Sequence, residues 1–311
     1  MTGGPSIDFA GCVAIVTGAG SGMGRDYALS LAARGCAVVV NDYGGDPSGR
    51  GGSASPANIV AREIIEAGGT AIADAHPVGT PETARAIVDA ALVAFGRVDI
   101  LINNAGISAP GPVEGPSDDQ IAAVLLTNLA GPLALTRAVW PTMRGQGYGR
   151  ILNVSSNAAF GVGGSVAYAA SKAGLLGLTF ETGGLGRAFG IGVNAILPVA
   201  YTRMIDAAPD AAFVAWMKAN MPVEQVTAAA LYLVSKACGL SGQVFSVGGG
   251  RVARAGFMGG RGLFEADLTP EQLRDHETEM TSLASPRLIA SSRDDIAPLF
   301  EFYPMARPEP G

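Results

Sequence analysis

Short, nearly continuous apolar runs alternate along the chain with longer stretches whose apolar positions recur every three or four residues. The runs at 12–16, 37–40, 70–75, 99–102, 151–156, 192–198 and 243–250 read as strands, since apolar residues at successive positions bury both faces of a sheet. The periodic stretches at 25–34, 58–67, 80–95, 166–180 and 227–236 read as helices, with another opened by Ser117-Asp118-Asp119-Gln120. Gly35, Gly68-Gly69 and Gly96 stop three of them, and Thr80-Pro81-Glu82 starts one with a cap, an early proline and an early acid. Strands alternating with helices give an α/β fold, a doubly wound parallel sheet of about seven strands with helices on both faces. That domain covers 1–250. Residues 251–311 are more charged, with a helix start at Thr269-Pro270-Glu271, and form a C-terminal extension expected to pack on the core or on a neighbouring subunit.

The first repeat of this pattern carries chemistry. Its strand runs into Thr17-Gly18-Ala19-Gly20-Ser21-Gly22-Met23-Gly24, then a helix, then a second strand that ends in Asn41-Asp42. Glycines allow positive φ and let backbone approach a pyrophosphate at a helix N-terminus, where free N–H groups favour an anion. A carboxylate closing the second strand accepts hydrogen bonds from ribose hydroxyls and repels a 2′-phosphate. Gly18, Ser21, Gly22, Met23, Gly24 and Asp42 are therefore read as the binding site of a dinucleotide in a Rossmann fold, with NAD preferred over NADP. Further along, Tyr168 and Lys172 stand four residues apart in a helix-like run, so both side chains leave one face a turn apart. An ammonium beside a phenol lowers its pKa from near ~10, which makes the pair a candidate general acid/base.

The loop Thr17–Gly24 resembles the cofactor loop of the short-chain dehydrogenase/reductase superfamily, with Met23 in place of the usual isoleucine. The stretch from Val38 to Asp46, followed by a glycine-rich insertion at 46–56, is similar to the (3R)-hydroxyacyl-CoA dehydrogenase domains of multifunctional β-oxidation proteins; the insertion reads as a surface loop. The resemblance implies that Asn104, Ala105 and Gly106 border the cofactor and that Asn128 holds a proton-relay water. It implies a serine at the end of the fifth strand that binds the substrate oxygen. Counting along the strand selects Ser156, while the usual spacing to the tyrosine selects Ser155. Tyr168 and Lys172 take the family's catalytic positions and also touch the cofactor. Backbone at Val199 and the hydroxyl of Thr202 are placed near the nicotinamide carboxamide, and 204–221 over the substrate, with Phe213, Trp216 and Met217 either lining an apolar mouth or packing their own helix. Gly131-Pro132 is expected to kink the helix that holds Asn128. The implied activity is NAD-dependent interconversion of a secondary alcohol and a ketone, on a 3-hydroxyacyl-CoA or on another bulky hydroxy compound such as a steroid. Relatives are dimers or tetramers, so a homodimer or homotetramer is expected. A non-catalytic NAD-binding sensor is the alternative of another class.

Composition narrows the partners. The net charge is −6 and no Lys/Arg cluster is present, which argues against nucleic acid. Cys12, Cys36 and Cys238 lack metal-site spacing, so no metal is expected, and reduced thiols suit the cytoplasm. No signal peptide is read in residues 1–10, and no apolar run approaches the ~18–20 residues of a membrane span, so no membrane partner is expected.

Overall fold

The computed structural model describes residues 6–202, 210–265, 268–289 and 291–302. Every expected apolar run is a strand: β1 (Val13–Thr17), β2 (Ala37–Asn41), β3 (Thr70–Asp74), β4 (Ile100–Asn103), β5 (Gly149–Val154), β6 (Ile191–Pro198) and β7 (Gln243–Gly248). They pair in parallel in the order β3-β2-β1-β4-β5-β6-β7. An eighth strand, β8 (Arg251–Ala255), extends the sheet beyond β7. Its sequence, Arg-Val-Ala-Arg-Ala, has no apolar run, because an edge strand exposed to water needs none.

Alternate residues of each strand serve opposite faces. Ala14, Val16, Ile102 and Leu152 join a core with helices α1 (Gly22–Ala32), α2 (Ser55–Glu66) and α8 (Val223–Val234). Ile15, Leu101, Ile151 and Val193 face α3 (Pro81–Phe95) and α5 (Gly131–Gln146). The chain steps from β1 to β2 to β3 on one side, then returns from β3 past β1 to β4 on the other, so the strand order reverses between β1 and β4. The crevice at the carboxyl ends of these two strands is where doubly wound sheets bind ligands.

The helix that carries Asn128 runs without a break from α4 (Asp118–Leu125) through one π-helical turn, Leu126–Ala130, into α5. The π-helical turn lies just before Gly131-Pro132, where a kink is expected. Pro132 has no N–H for the carbonyl four residues back, and Gly131 N–H reaches Leu126 O, five residues back. By length and composition this 29-residue helix could cross a membrane, which the apolar-run count did not show. Its Leu135, Val139 and Met143 are instead buried against the sheet.

Cys12, Cys36 and Cys238 are buried free thiols, and burial pushes those of Cys12 and Cys36 up. The chain divides into two compact units, 1–254 and 255–311, so the boundary falls just after the expected 250 because β8 belongs to the sheet. In the second unit β9 (Phe257–Gly259) pairs antiparallel with β10 (Arg287–Ile289). The expected helix start there is a capping box, Thr269 with Gln272, opening α9 (Pro270–Asp275).

One glycine sets how closely α1 approaches β1. A Cβ on Gly24 would lie 2.1 Å from the Gly18 carbonyl oxygen and 2.5 Å from Asn104 Nδ2. Gly24→Ala should destabilise the protein by about 1–3 kcal/mol, lowering Tm by about 2–4 °C per kcal/mol. An unchanged Tm would show that the approach is looser than described.

Candidate active site

At the switch point the two strand ends are tied through Thr17. Its hydroxyl accepts from the backbone amides of Asn104 and Ala105, both at 3.0 Å, and donates to Ile102 O at 3.3 Å. Asn104 Nδ2 donates to the carbonyls of Thr17 (2.9 Å) and Gly18 (3.2 Å). The glycine loop is thereby clamped on the β4 exit. Gly18 holds φ +63°, and a Cβ there would sit 2.9 Å from Ala105 Cα.

Above this clamp lies a cleft of about 640 Å³. Of the expected cofactor residues, Gly18, Ser21, Gly22, Met23, Asp42, Asn104, Ala105, Gly106 and Thr202 all line it. Gly24 lies behind the loop, packed on Gly18 and Asn104. Val199 does not line it: its N–H donates to Val247 O at 2.7 Å, inside the sheet. The start of the expected cover, residues 204–209, lies outside the described residues. The Asp42 carboxylate accepts from Gly20 N–H and Gly44 N–H, each at 2.7 Å, and each oxygen keeps a lone pair for a further donor. A glycine-rich loop at a helix start, facing a strand-end carboxylate, fits the pyrophosphate and ribose of a nicotinamide dinucleotide.

Tyr168 and Lys172 project from α6 (Val166–Gly186), one turn apart as expected, with Lys172 Nζ 5.5 Å from the centre of the Tyr168 ring. The two serines separate cleanly. Ser155 is buried and its hydroxyl donates to Lys172 O at 2.7 Å, so it anchors the helix from beneath. Ser156, at the end of the strand's path, donates to Asn157 Oδ1 at 3.2 Å and accepts from Ala158 N–H at 3.1 Å, and it is the serine near enough to the Tyr168 phenol to pull its pKa down. Lys172 is buried, and its ammonium donates to Val154 O at 2.8 Å. Asn128 is fully buried and paired twice with Ile107: its Oδ1 accepts from Ile107 N–H and its Nδ2 donates to Ile107 O, both at 2.9 Å. Nδ2 also reaches Ser171 Oγ at 3.3 Å. Lys172 Nζ and Asn128 Oδ1 converge on Gly106, where a Cβ would meet them at 3.4 and 3.5 Å. Gly106 thus joins the cleft to Lys172 and Asn128.

The electrostatics differ from the sequence expectation in one respect. Burial pushes the Tyr168 phenol up, against a Ser156 hydrogen bond that pulls it down, so its net direction is upward and not downward. Burial likewise pushes Lys172 down to about 8. Both shifts favour neutral forms, as desolvation does.

Other residues of the cleft escaped the sequence reading. Asn41 Nδ2 donates to Asp74 Oδ1 (2.6 Å) and His76 O (2.9 Å), setting the wall that Pro77 and Val78 complete. The insertion after Asp42 is no mere surface loop: Tyr43 to Pro47 and Gly49 form part of the wall. Sequence offered a turn composition there but nothing about where the turn lies. On α7 (Ala211–Asn220), Met217 packs inward, while Phe213 and Trp216 stack at 6.4 Å and stay about half exposed.

The fold, the glycine clamp and the serine-tyrosine-lysine cluster define a dinucleotide-dependent oxidoreductase of the doubly wound class. The chain belongs to the short chain dehydrogenase family, whose profile matches residues 12–210, and it is an oxidoreductase acting on CH–OH groups. It is 36% identical to peroxisomal multifunctional enzyme A of Dictyostelium discoideum over 94% of this chain and 65% of that protein. It is 37% identical to a hydroxyacyl-CoA dehydrogenase of Mycobacterium tuberculosis, over 79% of this chain and 80% of that one. The crystal structure of a short chain dehydrogenase from Mycobacterium avium superposes with a TM-score of 0.76 at 36% identity, covering 88% of this chain and 95% of that one. The chain spans less than two thirds of the Dictyostelium enzyme's length.

The buried ammonium sets a pH dependence of stability. Between about 8, its folded value, and its ordinary 10.5, the unfolded chain binds the extra proton, so stability should rise with pH across that window. The unfolding free energy of wild type relative to Lys172→Met should therefore increase from pH 7.5 to pH 10, measured by urea unfolding. A difference that stays constant with pH would refute the depressed value.

Proposed function

We propose that the protein is an NAD-dependent dehydrogenase that interconverts a secondary alcohol and a ketone, with a 3-hydroxyacyl-CoA as the substrate class. The observation that carries the reading is Tyr168 with Ser156 on one side and Lys172 Nζ 5.5 Å from its ring centre, beside a glycine-rich cleft lined by Asp42. The dinucleotide, when bound, supplies the acceptor or donor of hydride. Ser156 holds the substrate oxygen. Tyr168 exchanges a proton with that oxygen, and its raised pKa keeps it protonated in the free protein at neutral pH, ready to serve ketone reduction. Oxidation requires loss of that proton first. Lys172, charged at neutral pH, steadies the phenolate that results. Asn128, on the far side of Lys172 across Gly106, takes the relay position toward water.

Discrimination against a 2′-phosphate rests on charge. Asp42 and Asp46 both line the cleft, and among its described lining residues there is no lysine or arginine. The substrate class rests on the relatives, one of which is named a hydroxyacyl-CoA dehydrogenase. The half-exposed rings of Phe213 and Trp216 suit an acyl chain. A homodimer or homotetramer and a reducing, cytoplasmic setting complete the reading.

Tyr168→Phe should lower kcat by about 10²–10⁴-fold with NAD binding retained. Turnover that survives the change would leave a non-catalytic or differently built site. Asp42→Ala should weaken NAD binding by about ten- to a hundred-fold and narrow the gap to NADP, read by titration of both cofactors. Equal dissociation constants before and after would remove Asp42 from the ribose.

A further inference from the structure

The segment that follows Asp42 closes on itself and then reaches across the cleft. At its base, Ser53 N–H donates to Tyr43 O at 2.8 Å, and Gly52 lies flat on the Tyr43 ring, where a Cβ would come within 2.6 Å of Cζ. Gly44 is pressed on the Ser53 carbonyl and its N–H is held by Asp42. At its tip, Asp46 Oδ1 accepts from Ser48 N–H (2.8 Å), Ser48 Oγ (2.6 Å) and Arg50 N–H (3.0 Å), while Asp46 N–H donates to Arg50 O at 2.9 Å. These bonds make 43–53 a small pre-formed unit and not a slack linker.

Two contacts join this unit to the other bank. Ser108 N–H donates to Pro47 O at 3.0 Å, and a Cβ on Gly49 would lie 2.8 Å from Ile107 Cδ1. Glycine at 49, held at φ +83°, is what lets the tip come so near. The β2 exit and the β4 exit are thereby bridged over a cleft whose walls they both form. Ile107 is in turn gripped on both sides by Asn128. The closing contacts consist of one backbone hydrogen bond and one side-chain contact, weak enough to part without unfolding the strands beneath.

We infer that residues 43–53 are a strap that gates the cleft: the Pro47–Ser108 latch opens for the dinucleotide to enter or leave and closes over it when bound. The inference rests on the proposed cofactor reading. It also gives Pro47, Gly49 and Ser108 a positioning function, since the closed strap sets Ile107 against Asn128.

Release of NADH from the full chain, followed by stopped-flow displacement with excess NAD, tests the gate, together with association rates and trypsin cleavage at Arg50. Ser108→Pro deletes the latch donor, and Asp46→Ala loosens the strap tip without touching the β4 exit. Each should speed both NADH entry and NADH release by about five-fold, the order that one hydrogen bond's net worth sets. Each should also hasten cleavage after Arg50, which bound NADH slows in wild type. A gate accelerates both directions, whereas a simple contact accelerates release alone. Faster release with unchanged entry, or unchanged rates and cleavage in both variants, overturns the gate. Should Ser108→Pro fail to fold, Asp46→Ala decides by the same readouts. Wild type that binds no NADH overturns the cofactor reading and the gate with it, while binding without gated exchange overturns the gate alone.

Discussion

The hydroxyl of Thr17 is the point on which the site depends. It sits at the end of β1, where strand order reverses, and accepts two amides from the exit of β4. Together with the Asn104 side chain, that tie joins the glycine loop to the Asn104–Gly106 turn at the top of the sheet. With it, they are one rigid floor. Neutral hydrogen bonds each contribute only about 1 kcal/mol net. Their value here is geometric: Asn104 closes on both Thr17 and Gly18, and a Cβ at Gly18 or Gly24 would force the two loops apart.

From that floor the chemistry follows by adjacency. Gly106 touches the cleft on one side and Lys172 and Asn128 on the other. Burying an ammonium is costly, and the carbonyl of Val154 offsets only part of the cost, hence its depressed value. The lysine's ammonium is bonded to a neutral carbonyl and lies beside a phenol pushed up by the same burial.

Adjacent serines at the end of β5 divide two tasks between them. Ser155 turns under α6 and fixes the height of the helix by bonding Lys172 O. Ser156 turns the opposite way, as successive strand residues do, and meets Tyr168. The registration of the whole cluster therefore passes through one strand, one helix and the hydroxyl between them.

The order of strands and helices, the glycine loop, Asp42 and the Tyr168–Lys172 spacing were all legible in the chain, because each depends on local periodicity or on conformations that only particular residues adopt. The strand count also favoured Ser156. Other features depended on residues distant in sequence. The strap's crossing to Ser108, the Asn128 grip on Ile107 and the Asn41–Asp74–His76 wall join segments that no local pattern connects. The eighth strand escaped notice because an edge needs no apolar signature, and the pairing of Val199 N–H within the sheet was not legible either. The direction of the Tyr168 shift was decided by burial, a property of the packed fold. Sequence by itself determined which elements form and which chemical groups stand at their ends; tertiary structure decided which of those groups meet and how dry their surroundings are, because desolvation and long-range contact exist only once the chain has closed.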